Sequence, residues 1–213
     1  MSRMRWASLC IVAVLLSMLL SAVNAGPPWQ DPRYTRFRPF DEGFATSTID
    51  SFGNDYADRL RRVLHGHFGL HDSTVTMLES RPLSPNQLVQ DIRRDRNPRR
   101  FLYLGPVIPN APQYPTMVVA TPIAASDSER GARTFALLSV QRHSRTPPPT
   151  DRPHLFIHGY AEVKHANDIE ERFRRTAPSG LASPEVGQVF SVEEMFWKLS
   201  HAYQEVLAGL KKP

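Results

Sequence analysis

Cysteine is almost missing from these 213 residues: Cys10 is the single one. One cysteine cannot close an intrachain disulfide, and it cannot supply a multi-thiolate zinc site. Lysine is also scarce, with four residues against 22 arginines. That bias fits the composition of a GC-rich bacterial genome. Neither sign of charge dominates. The 26 basic and 21 acidic residues leave a net charge of +5, too mild for a chain built around nucleic acid. Apolar runs are missing except at the N-terminus, which excludes a polytopic membrane protein. The signatures of a P-loop, a dinucleotide fingerprint, an HExxH zincin and a Gly-x-Ser-x-Gly elbow are all lacking. The catalysts that those motifs mark are therefore not expected.

What is present begins with an address. Arg3 and Arg5 precede an uncharged apolar run, 7–23, and the chain reads Ala-Val-Asn-Ala over 22–25. This is the pattern of a secretory signal peptide, residues 1–25, cut after Ala25. Cleavage would remove Cys10, Arg3 and Arg5 together. It would leave a cysteine-free chain with a net charge of +3. Such a chain depends on a hydrophobic core, and its length is sufficient for one. Residues 26–43 then read as an irregular leader rich in proline and aromatics, and 44–213 as one domain.

Within that domain, Ile49, Phe52, Tyr56, Leu60, Val63 and Leu64 follow helical spacing. They predict a helix over 47–66, with Ser47 and Asp50 as its capping pair. Residues 73–79 are β-prone. Ser84-Pro85-Asn86-Gln87 is a helix start, and Leu88, Val89 and Ile92 supply the buried face. Strands are expected over 101–104, 116–120, 134–142 and 154–164, and the gaps between them show no crossover-helix pattern. A helix over 167–176 follows. Ser191 and Glu194 then form a capping box before the stripe of Met195, Phe196, Leu199, Ala202, Tyr203, Val206, Leu207 and Leu210. The order α-β-α-β-β-β-β-α-α predicts an α+β fold, with an antiparallel β-sheet of about five strands and helices packed on one face.

Four groups of residues invite a chemical reading. His65, His67 and His71 lie within seven residues, as metal ligands would, but glycines punctuate them at a helix end. Alternation along a strand places His154, Phe156, His158 and Tyr160 on one face, a surface for a ligand or partner. It places Leu155, Ile157, Gly159, Ala161 and Val163 on the core face. His154 and His158 would then stand ~13 Å apart, too far to chelate one ion by themselves. Arg93, Arg94, Arg96, Arg99 and Arg100 form a cluster suited to anions, with Asp91 and Asp95 interleaved. No aromatic ladder accompanies it, so nucleic acid is not the expected partner. Finally, Pro106, Pro109, Pro112 and Pro115 recur every third residue. That spacing gives either a polyproline ridge or a stiff loop.

These features predict an exported protein, periplasmic or secreted, that binds a partner or ligand at the cell envelope without catalysis. No cofactor is called for, and no membrane span remains after signal cleavage. Two other readings stand beside it. One is an exported histidine-dependent hydrolase or metalloenzyme. The other is a binder of anionic surfaces through the arginine cluster.

Overall fold

The computed structural model describes residues 45–49, 51–94, 99–107, 116–123, 131–142, 153–176 and 184–199. The expected signal peptide and leader, Arg96, most of the proline ridge and the second half of the final apolar stripe lie outside the described residues.

Seven strands form one mixed sheet. They are β1 (Ala45–Thr48), β2 (Thr74–Met77), β3 (Phe101–Pro106), β4 (Thr116–Pro122), β5 (Arg133–Arg142), β6 (Pro153–Lys164) and β7 (Val189–Phe190). The order across the sheet is β1-β6-β5-β4-β3-β7, and β2 also pairs with β6. The four strands β3 to β6 pair antiparallel with their chain neighbours, as their short connections require. β1 pairs parallel to the first half of β6, while β2 pairs antiparallel to its second half.

Among the described residues, four helices cover the sheet: α1 (Gly53–Phe68), α2 (Pro85–Arg94), α3 (Ile169–Arg175) and α4, residues 192–199. Tyr56, Leu60, Val63 and Leu64 of α1 join Ile169 and Phe173 of α3 in one apolar cluster. That cluster also takes Leu102, Val118, Ala120, Phe135 and Leu137 from the strands. Leu88 and Ile92 of α2 join Val192, Met195 and Leu199 of α4 in a second cluster, with Tyr103, Met117, Val119, Ala136 and Leu138. Alternate strand residues thus go to alternate clusters, as the pleat dictates. The sheet lies between two helical pairs.

The fold is α+β, the class that the patterning predicts. Three details depart from expectation. The sheet has seven strands rather than about five. It is mixed rather than antiparallel. Helical side chains reach both of its faces. The α1 boundary also moves. Residues 45–48 are strand, and Ile49 N–H extends the pairing by donating to the Ile157 carbonyl at 2.9 Å. Thr46 and Thr48 favour that extended state, and their partner strand is more than a hundred residues away in sequence. Helix α1 begins only at Gly53. Its N-cap is Phe52 at φ 68°, with no side-chain cap; Ser47 lies in β1, and Asp50 falls outside the described residues.

The other two expected caps are present. Ser84 N–H donates to Gln87 Oε1 at 2.8 Å, and Gln87 N–H donates to Ser84 Oγ at 3.4 Å. Ser191 N–H donates to Glu194 Oε2 at 2.7 Å, and Glu194 N–H donates to Ser191 Oγ at 3.2 Å. No helix among the described residues is long and apolar enough to cross a membrane.

Candidate functional site

The site grows from one irregularity in β6. Leu137 of β5 pairs with Gly159, and the next residue, Leu138, pairs with Ile157. His158 is the extra residue of a β-bulge, which reverses the facing of everything after it. Leu155 and Ile157 therefore face the α2–α4 cluster, and so does Tyr160. Ala161 and Val163 face the α1–α3 cluster. The expected row of His154, Phe156, His158 and Tyr160 is broken at its last member. Tyr160 crosses to the opposite face, where its hydroxyl donates to the Leu83 carbonyl at 2.9 Å. Gly159 permits the bulge, since its φ is +149° and an added Cβ would lie 2.6 Å from Met77 Cε.

His158 itself is held at both nitrogens. Nδ1 lies 2.8 Å from the Ser51 carbonyl, and Nε2 lies 2.8 Å from Ser139 Oγ. A carbonyl only accepts, so Nδ1 carries the proton, and Nε2 accepts from the Ser139 hydroxyl. The Tyr56 ring stands edge-on to the imidazole, 4.7 Å between centroids. His158 is 7% exposed and Ser139 is 3% exposed. Burial pushes the imidazole below its ordinary pKa, and the Ser51 carbonyl bond acts in the opposite direction. The Tyr56 hydroxyl is buried without a hydrogen-bond partner.

Beside this buried centre lies a more open row. Ser47 of β1 and Ser139 of β5 both pair with Phe156 of β6. Ser47 Oγ lies 2.8 Å from His154 Nε2, and the His154 ring stacks on Phe156 at 4.2 Å with 2° between planes. Ser47, His154 and Phe156 are each half-buried. Phe52 ends this region. It is 61% exposed, the most open large apolar side chain among the described residues. A bulky residue in the left-handed region costs ~1–2 kcal/mol, and such strain persists where surrounding structure imposes it.

Among the described residues, the other candidates share no common site. His65 Nε2 bonds to the Ser73 carbonyl at 3.0 Å, with the His71 ring 6.1 Å away. His67 packs instead on Gly187, before β7. Among the described residues, no group of three or more histidines, cysteines or carboxylates could hold a metal ion. The expected metal set His65, His67 and His71 is thus not assembled, because the helix end turns its histidines to different neighbours.

The arginine cluster is also divided. Arg99 makes a two-pronged ion pair with Glu194, both bonds 3.1 Å, and donates to the Thr176 carbonyl. Arg100 is buried and donates to Asp91 Oδ2 at 2.6 Å and to Thr121 Oγ1 at 2.9 Å. Both guanidinium groups tie strand β3 to neighbouring elements. Arg93 and Arg94 remain exposed at the end of α2.

Ser51, Phe52, Tyr56, Ser47 and Ser139 were not legible as site residues. The His158 bonds span 19 residues to Ser139 and 107 to Ser51. No motif spacing connects such positions. The glycine at 159, inside a strand pattern, was the one local hint of a bulge. Comparison with protein-family models, curated proteins and solved structures finds no match to this chain.

Proposed function

We propose that this chain is an exported, non-enzymatic protein that binds a partner or ligand at the cell envelope. Export rests on the signal-like pattern over 1–25. Binding rests above all on Phe52, a strained aromatic residue 61% exposed at the end of a helix. It lies 6.4 Å from the buried His158 ring, so the exposed aromatic is anchored to a rigid centre. The half-buried Ser47, His154 and Phe156 extend the same sheet face. An aromatic group with hydrogen-bonding neighbours suits a binding surface.

The test is site-directed photo-cross-linking in the producing cell. A benzoylphenylalanine replaces Phe52 in one variant and Gln90, exposed on the opposite helical pair, in another. A discrete envelope adduct from position 52 alone supports the reading. Cytoplasmic retention with the N-terminus intact, or equal labelling at both positions, would overturn it.

The 2.8 Å bond from Ser139 to His158 favours a second reading, a serine hydrolase with the Ser51 carbonyl orienting the base. The burial of Ser139 opposes it, because a nucleophile must be reached by substrate. Fluorophosphonate labelling decides between the two. Modification lost in Ser139→Ala supports the hydrolase, and an unlabelled folded protein supports the binder.

A further inference from the structure

We propose that His158 is an acid-released latch that fixes the start of α1, and with it Phe52, against the bulge of β6. The neutral ring, which burial favours, uses both of its partners. Nδ1–H holds the Ser51 carbonyl at 2.8 Å, one residue before the left-handed Phe52. Nε2 has no proton and accepts from the Ser139 hydroxyl at 2.8 Å. The helix start is seated on the same bulge from below. A Cβ on Gly53 would lie 2.9 Å from the His158 carbonyl oxygen. Ring, bulge and helix terminus therefore move as one unit or separate.

A second proton on the imidazole would point from Nε2 at Ser139 Oγ. The hydroxyl would turn its own proton away and accept, and the charge would sit in a buried site. The groups packed on the ring are Ser139 from β5, Ser51 and Phe52 from the turn, and Tyr56 from α1. Tyr56 is the titratable one, and its phenol is neutral in this range. Helix α1 also carries Asp55, paired with Arg59 at 3.0 Å, and the Arg59 guanidinium lies over the Tyr56 ring at 5.5 Å while donating to the Pro106 carbonyl. Strands β1, β2 and β4 bring no ionisable side chain. On β6, His154 is engaged with Ser47. No carboxylate among the described residues is paired with the ring, so separation of the α1 start, which admits water, is the route by which the charge is accommodated.

Amide hydrogen exchange on the full chain tests the latch. The Tyr56 amide donates to the Phe52 carbonyl at 3.0 Å and reports the first turn of α1. The Leu88 amide, bonded to Ser84 at 3.0 Å on α2, is the internal control. After correction for intrinsic exchange, Tyr56 protection falls by up to about tenfold per pH unit below ~6.5. Leu88 protection stays flat. In His158→Gln the Tyr56 response is lost. An unchanged Tyr56 amide, or the same fall in His158→Gln, overturns the proposal.

If that variant fails to fold, ring nitrogen shifts of the wild type decide. The latch requires a neutral Nδ1–H ring that becomes charged only as the Tyr56 amide opens. Titration near ~6.5 with the helix start still protected overturns it. Only the role given to Phe52 rests on the binding reading. Neither measurement involves a partner, so a failed latch with specific cross-linking at position 52 leaves that reading intact.

Discussion

Gly53 and Gly159 set how closely α1 approaches β6. At Gly53 an added Cβ would meet a backbone oxygen and Met77 Cε, each at 2.9 Å. The methionine end can swing aside, but the backbone of the bulge cannot. Gly66 lies in the same helix with nothing within 4 Å of such a Cβ. The two positions give opposite expectations for one substitution. Gly66→Ala gains ~0.5–1 kcal/mol, from helix propensity and a less flexible unfolded chain. Gly53→Ala loses ~1–3 kcal/mol through forced separation of helix and bulge. Urea denaturation of both variants checks the contrast. A Gly53→Ala protein as stable as wild type would show that the bulge yields easily. The side chains are coupled in the same way at His158. Ser139→Ala leaves Nε2 buried without its donor, a loss of ~1–3 kcal/mol.

Among the elements, those specified by neighbouring residues were readable from the sequence, and those specified at a distance were not. The Ser84–Gln87 and Ser191–Glu194 boxes formed because each satisfies its bonds within four residues. The β3 to β6 run was legible because turns separate strands that pair in order. β1 and β7 are four and two residues long, and each takes its pairing from a remote strand. No local pattern distinguishes such segments from loop. The same holds for the bulge, where a single inserted residue sent Tyr160 to the wrong face of a clean alternation. The arginine run misled for a related reason. Its charges were visible, but Glu194, which is 95 residues from Arg99, was not visibly their partner.

Glu194 has two functions: it caps α4 and pairs with a guanidinium only 13% exposed. Glu194→Ala is expected to cost about 3 kcal/mol or more. Ser84→Ala, at an exposed cap, is expected to cost about 1 kcal/mol. Equal losses in chemical denaturation would mean that the Arg99 pair adds nothing to the cap.

On the scale of the whole molecule, the two apolar clusters respond to pH through their buried polar groups. On the acid side the sign follows from His158. Its folded pKa is depressed, so the unfolded chain binds more protons below ~6.5. Stability is fully present above that pH and falls as pH drops toward the folded value. On the alkaline side the tyrosines govern. Burial pushes Tyr103 and Tyr160 up to about 12, with Arg59 and Arg81 respectively opposing the shift. Burial also raises Tyr56, across the sheet, with Arg59 again opposing. The unfolded chain releases these protons near ~10, while the folded chain keeps them. Stability is therefore present below ~10 and falls as pH rises toward 12. Tyr103 and Tyr160 each contribute a slope of up to ~1.4 kcal/mol per pH unit in that window. Tyr103→Phe should flatten the alkaline limb by that amount and leave the neutral plateau in place. Tyr160→Phe should flatten it equally but also lower the plateau, because the Leu83 carbonyl loses its donor at 2.9 Å. Denaturation midpoints across the alkaline range separate the two effects. An alkaline limb that stays equally steep in both variants would mean that the phenols ionise in the folded state and that neither cluster excludes their charge.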